Sequence, residues 1–147
     1  MIRTLLCTLL LLLPTLASAQ QTSPQRLGDL LVYHNTFNSS YLQPDVAANT
    51  GLTRGPTHGV VNIAVQRTTP EGPVAVDALL QGSVTNLLGQ KAPLRFIRLQ
   101  EEDSIYFVAN YTAAQRGLLR FEVEVRPSTG APAQILRFQQ EFHPDDQ

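Results

Sequence analysis

Sulfur and tryptophan are almost missing from this chain. Its 147 residues hold one Cys, one Met and no Trp. Both sulfur residues, Met1 and Cys7, fall in the first ten positions. The rest of the chain therefore offers neither a disulfide nor a thiolate nucleophile nor a thioether ligand. An excess of either charge is missing too, with 11 Lys+Arg against 12 Asp+Glu and a pI near 6.3. Nucleic-acid binders usually carry a clustered basic face, so no nucleic-acid partner is expected. Long apolar runs are confined to Leu5–Leu13, which is short of the roughly 20 residues that a spanning helix needs.

Catalytic signatures are equally sparse. There is no Gly-x-Ser-x-Gly elbow and no Ser-x-x-Lys. The glycines Gly51, Gly55 and Gly59 are spaced by four but interrupted by Pro56, and no Lys follows them as a phosphate loop requires. The three histidines, His34, His58 and His143, show no paired spacing of the kind that zinc or copper ligands show. The acidic groups Glu101/Glu102/Asp103, Glu122/Glu124 and Asp145/Asp146 read as a hairpin tip, a solvated strand face and a tail. The expectation is a protein that is not an enzyme and holds no metal or cofactor.

What is present begins with an export signal. Arg3 supplies a positive start, Leu5–Leu13 an apolar segment and Pro14 a break. Ala17-Ser18-Ala19 is the small-x-small pattern that signal peptidase accepts. Residues 1–19 are expected to leave by cleavage after Ala19. The single domain is then 20–147, with no stable membrane span.

The remainder is punctuated by 10 Pro and 9 Gly into short runs with strand character. These are Leu30–Phe37, Gly59–Arg67, Val74–Leu87, Ala92–Gln100, Ser104–Tyr111, Leu119–Arg126 and Leu136–Phe142. Leu119, Phe121, Val123 and Val125 alternate with Arg120, Glu122, Glu124 and Arg126, so one face is buried and the other wet. Gly82 inside the longest run predicts a bulge or a close backbone approach. About seven such strands predict an all-β fold, an immunoglobulin-like antiparallel β-sandwich, with a small closed barrel as the alternative. One short helical turn is expected over Gln43–Asn49, with Pro44 at its start, Asp45 in its first turn and Gly51 as its stop.

A polar-aromatic cluster stands out in the first third: Tyr33, His34, Asn35, Asn38, Tyr41, Arg54 and His58. Side chains of this kind suit recognition surfaces, though asparagines near strand ends also satisfy local backbone groups. Tyr33, Asn35, Asn38, Tyr41, Arg54 and Asn86 are the candidate binding residues, with the loop 35–54 as the expected recognition surface. The leading reading is a binding or accessory module for an envelope protein or component. The alternative is a small-molecule carrier holding an anionic ligand between sheets or loops, through Tyr33, Tyr41 and Arg54.

Several stretches together resemble one family. They are Leu27-Gly28-Asp29, Asn35-Thr36-Phe37-Asn38-Ser39-Ser40, Leu42-Gln43-Pro44-Asp45-Val46-Ala47, Gly51-Leu52-Thr53-Arg54, Val61-Asn62-Ile63, Asn86-Leu87-Leu88-Gly89-Gln90 and Leu136-Arg137-Phe138-Gln139-Gln140-Glu141-Phe142. The chain is similar in this order to the secreted bacterial domain-of-unknown-function family 4426. That resemblance implies a signal-bearing protein of the Gram-negative periplasm with an immunoglobulin-like sandwich. It brings no established activity, cofactor or catalytic residue.

Overall fold

A computed structural model describes residues 24–144. The expected signal peptide, its cleavage point at Ala19 and the Asp145/Asp146 tail lie outside the described residues. Ten strands build two antiparallel sheets. The first contains β1 (Gln25–Leu27), β2 (Leu30–Asn38), β3 (His58–Thr69), β4 (Gly72–Ala75), β7 (Ile97–Glu101) and β8 (Ser104–Thr112). The second contains β5 (Ala78–Thr85), β6 (Lys91–Leu94), β9 (Gly117–Pro127) and β10 (Gln134–Phe142).

The order β1-β2-β3-β8-β7 faces the order β10-β9-β5-β6, while β4 shares the β8 edge of β3. Without β1 and β4 these are the A-B-E-D and G-F-C arrangements of an immunoglobulin-type sandwich, with one extra strand beside C. The all-β sandwich expected from the sequence is the fold observed.

All seven expected runs are strands, but two of them are each cut in half. Val74–Leu87 is β4 and β5, which belong to different sheets, and the chain crosses between them at Val76-Asp77. Ala92–Gln100 is β6 and β7, and the chain crosses back at Arg95-Phe96. Each corner turns one apolar side chain against the core: Val76 is buried and Phe96 packs onto the main cluster. A polar knot ties the corners together. Asp77 Oδ1 accepts hydrogen bonds from Ala78 N and from Arg98 Nε, each at 2.9 Å. Its main-chain oxygen accepts from both Ser128 N and Ser128 Oγ at 3.0 Å, which brings in the β9–β10 turn.

The core between the sheets follows the alternation. Val32, Val61, Ile63 and Val65 of the first sheet belong to one cluster with Leu80, Val84, Phe121, Val123, Val125 and Leu136 of the second. Tyr111 meets Phe121 and Phe142 edge-on, with ring centroids 5.1 and 5.9 Å apart. Gly82 is required for close approach, as the sequence suggested. A Cβ there would stand 2.7 Å from the Glu122 carbonyl oxygen and 2.9 Å from Val123 Cγ2.

A second apolar cluster sits on the outer face of the first sheet. Leu52, Val60 and Val108 are its buried members, with Phe37, Leu42, Ile97 and Leu99 around them. The segment between β2 and β3 supplies Leu42 and Leu52 and so covers this face. It holds a 3-10 turn (Ser39–Tyr41) and α1 (Pro44–Thr50), where Pro44 opens the helix and Gly51 closes it at φ 75°. The outer face of the second sheet has no such cover among the described residues.

Two stability effects follow. Gly82→Ala should lower the unfolding free energy by about 1–3 kcal/mol through overpacking against β9, read from urea unfolding. The Arg98 hydrogen bond holds the Asp77 carboxyl below its ordinary value of 3.8; burial opposes it, while Ala78 N–H and the Arg98 charge add smaller help. The pair is well exposed, so Asp77→Asn should cost about 0.2–1 kcal/mol near neutral pH. A depressed carboxylate stabilises above its unfolded value and ceases to as pH falls through its folded one. The gap in melting temperature between wild type and Asp77→Asn should therefore close below about pH 4; a gap that persists there refutes this account.

Candidate functional site

Strand alternation decides where each residue of the polar-aromatic cluster points. On β2, the even positions face the core and the odd ones face out. Tyr33 and Asn35 are thus exposed on the outer face, while His34 turns inward. The His34 ring stacks on Phe138 at a centroid distance of 3.9 Å, and Phe138 stacks on Phe121 at 4.7 Å. This half-buried imidazole belongs to the aromatic core, not to a recognition surface. Burial pushes its pKa below the ordinary 6.5.

The other candidate side chains mostly serve the backbone. Asn38 Nδ2 donates to the His143 carbonyl at 2.8 Å, linking the end of β2 to the segment after β10. Arg54 Nη2 donates to the Ser40 carbonyl at 3.1 Å. Asn86 organises the β5–β6 turn: its Oδ1 accepts from Leu88 N at 3.0 Å and Gln90 N at 2.9 Å. Tyr41 is 80% exposed at the 3-10 turn. Asn86 lies in the second sheet's hairpin while the other five sit on or beside the first sheet. The six are not gathered into one concavity.

Two residues that the sequence did not single out hold the 39–57 segment in place. Ser39, fully buried, exchanges hydrogen bonds with Gly55: its Oγ donates to the Gly55 carbonyl at 3.1 Å and accepts from Gly55 N at 2.9 Å. Asn110 on β8 accepts from Thr53 N at 2.7 Å and donates to the Thr53 and Gly59 carbonyls at 3.1 and 3.2 Å. No local signal marks either role, since their partners are 16 and 51–57 residues away.

A cavity of about 460 Å³ lies elsewhere, on the uncovered outer face of the second sheet. Its walls are Ser83 and Thr85 of β5, Lys91 of β6, Arg120 and Glu122 of β9, and Arg137 and Gln139 of β10. Phe121 and Phe138, whose rings turn into the core, contribute to its floor. Register explains the grouping. Lys91 pairs with Thr85, Thr85 with Arg120, and Arg120 with Gln139, giving one side-chain row across all four strands. The neighbouring row runs Pro93, Ser83, Glu122, Arg137. The outward set Arg120, Glu122, Arg137 and Gln139 was visible in the alternation. Lys91, Ser83 and Thr85 join it only through strand pairing.

A smaller cavity of about 200 Å³ opens where β8 diverges from β3 beside β4, lined by Gln66, Pro73, Asp103 and Tyr106 among others. None of the six candidate residues lines either cavity. Among the described residues, no three His, Cys, Asp or Glu side chains gather as metal ligands would. No helix of the described residues is long and apolar enough to cross a membrane.

The sequence model of the domain of unknown function DUF4426 matches residues 24–145. A crystal structure of a DUF4426 family protein from Pseudomonas aeruginosa PAO1 is 41% identical, with a TM-score of 0.74 over 87% of this chain and 99% of that one. FetP of uropathogenic E. coli strain F11, recombinantly expressed in the periplasm of E. coli, is 10% identical with a TM-score of 0.63 over 84% of this chain and 95% of that one. A copper-bound FetP variant is 9% identical with a TM-score of 0.62, covering 84% and 96%. At that identity FetP shares the fold. No curated protein matches the chain in sequence.

Half-buried against Phe138, His34 makes stability depend on pH. Its folded pKa lies below the unfolded one, so its contribution is complete above about pH 6.5 and is lost as pH falls from there towards the folded value. His34→Phe should remove this component. The wild-type melting temperature should fall between pH 7.5 and 5 by more than that of His34→Phe. Parallel curves contradict the assignment.

Proposed function

This chain belongs to the DUF4426 family, and from that starting point we propose that it is an exported, non-enzymatic binding domain of the Gram-negative periplasm. The reading for export rests on the residue pattern of 1–19, with cleavage after Ala19. The reading for binding rests on one observation: the uncovered sheet carries a 460 Å³ trough lined mostly by exposed hydrogen-bonding and charged side chains. Pockets of this size suit small ligands. The loop 35–54 is the weaker location for it, because Asn38 and Arg54 spend hydrogen bonds on carbonyl groups of the fold. The copper of the FetP variant is not carried over, since the described residues do not gather ligands for such an ion.

A second reading, docking of an envelope protein on the 39–57 segment, is favoured by Tyr41. Its ring is exposed beside a base that Ser39 and Arg54 hold in place. Anchored exposed aromatics are common at interface hot spots.

Native mass spectrometry of protein extracted from the periplasm tests the main reading. The expected species begins at Gln20 and carries a small molecule that dissociates on activation. A mass retaining residues 1–19 sinks the export reading, and a clean apo mass sinks small-ligand carriage. If Tyr41→Ala abolishes a specific cross-link to an envelope protein while the apo mass stays clean, the second reading replaces the first.

A further inference from the structure

We propose that the trough on the outer face of the second sheet is a binding site for a small soluble oxyanion, a phosphate or carboxylate group. This rests on the reading of the trough as a ligand site and adds the ligand's charge and the residues that select it.

The row Lys91–Thr85–Arg120–Gln139 contains two cations, a hydroxyl and an amide, and no acid. Neighbouring strands lie about 4.8 Å apart, so the Lys91 and Arg120 backbones stand roughly 10 Å apart with Thr85 between them. Both side chains are long enough to turn towards a group held above Thr85. Neither cation makes a salt bridge among the described residues, in contrast to Arg98, Arg116, Arg126 and Arg137. The carboxylate in the trough, Glu122, is occupied: its Oε2 accepts from Arg137 Nε at 3.2 Å. The walls therefore hold three cations against one acid in a chain whose overall formal charge is -1.

That imbalance is local and does not follow from composition. Elsewhere on the same sheet face opposite charges pair directly, as Glu124 and Arg126 do at 2.8 Å. Two like charges flanking one hydroxyl repel each other, and an oxyanion between them removes that repulsion. Thr85 and Gln139 add neutral donors, while the Arg120 guanidinium can grip two oxygens at once. A neutral ligand would leave the cation pair uncompensated.

The test is a titration of the mature chain with inorganic phosphate, followed by amide chemical shifts at low ionic strength. Saturable shifts are expected at Ser83, Thr85, Lys91, Arg120 and Gln139. Apparent affinity should fall as sodium chloride is added, because partly exposed charges are screened. Arg120→Gln and Lys91→Gln should each weaken binding about tenfold, the scale of one charge-assisted hydrogen bond. Arg126→Gln, on the same face but outside the trough, should leave it unchanged. Equal melting temperatures for the three variants confirm that folding is not being read.

Absent or non-saturable shifts overturn the proposal, and so does binding that survives both Arg120→Gln and Lys91→Gln. Sedimentation with phosphatidylglycerol vesicles without any response to phosphate overturns it in favour of a lipid headgroup. A neutral molecule that co-purifies and perturbs the same residues, while phosphate does not, removes the anion and leaves the trough a ligand site.

Discussion

Two of the chain's three changes of sheet fall inside single apolar runs, and much of the structure is arranged around those two crossings. Between Val74 and Gln100 it leaves the first sheet, forms the β5–β6 hairpin of the second, and returns. Each corner must turn a strand sharply without stranding backbone groups near the core. Asp77 answers that demand with three kinds of partner: its own neighbour Ala78, the side chain of Arg98 from the returning strand, and Ser128 from the next turn. An exposed ion pair contributes little free energy alone. Its worth here is geometric, because it ties the first corner to the returning strand β7.

Much of the architecture was legible in the amino-acid pattern, and the physical reason is the period of two. Val61, Ile63 and Val65, or Leu119 to Val125, place every second side chain against the opposing sheet. The two corners were not legible because each keeps an apolar residue, Val76 or Phe96, against the core and carries no Gly or Pro of its own to mark a break. Val76 lies in the core at the bend, so an apolar run continues through a change of sheet. The helical turn was legible for the opposite reason, since Pro44, Asp45 and Gly51 carry purely local instructions.

The candidate site was much less readable. Asparagines and arginines near a strand end look alike whether they meet a ligand or a carbonyl group 105 residues away, as Asn38 does. The trough depends on three strand pairings that bring Lys91, Thr85, Arg120 and Gln139 into line from positions far apart in the chain. Alternation shows that Arg120 faces out. It does not show what stands beside it. The two outer faces also differ in kind: one is apolar and covered by the 39–57 segment, the other polar and open. A ligand on the open face would leave the Tyr41 side of the molecule available to a second component.

The ring of His34 lies near the beginning of the described chain and that of Phe138 near its end, yet they stack at 3.9 Å. Gln25 likewise donates to the Arg137 carbonyl at 2.8 Å. The last strand therefore closes the interior that the first strands open. A polypeptide delivered from its N-terminus, whether from a ribosome or through a translocation channel, cannot complete this core until β10 has emerged. Pairings this distant in sequence are slow to form. The sandwich thus stays open, with its core incomplete, until the residues of β10 are available to close it.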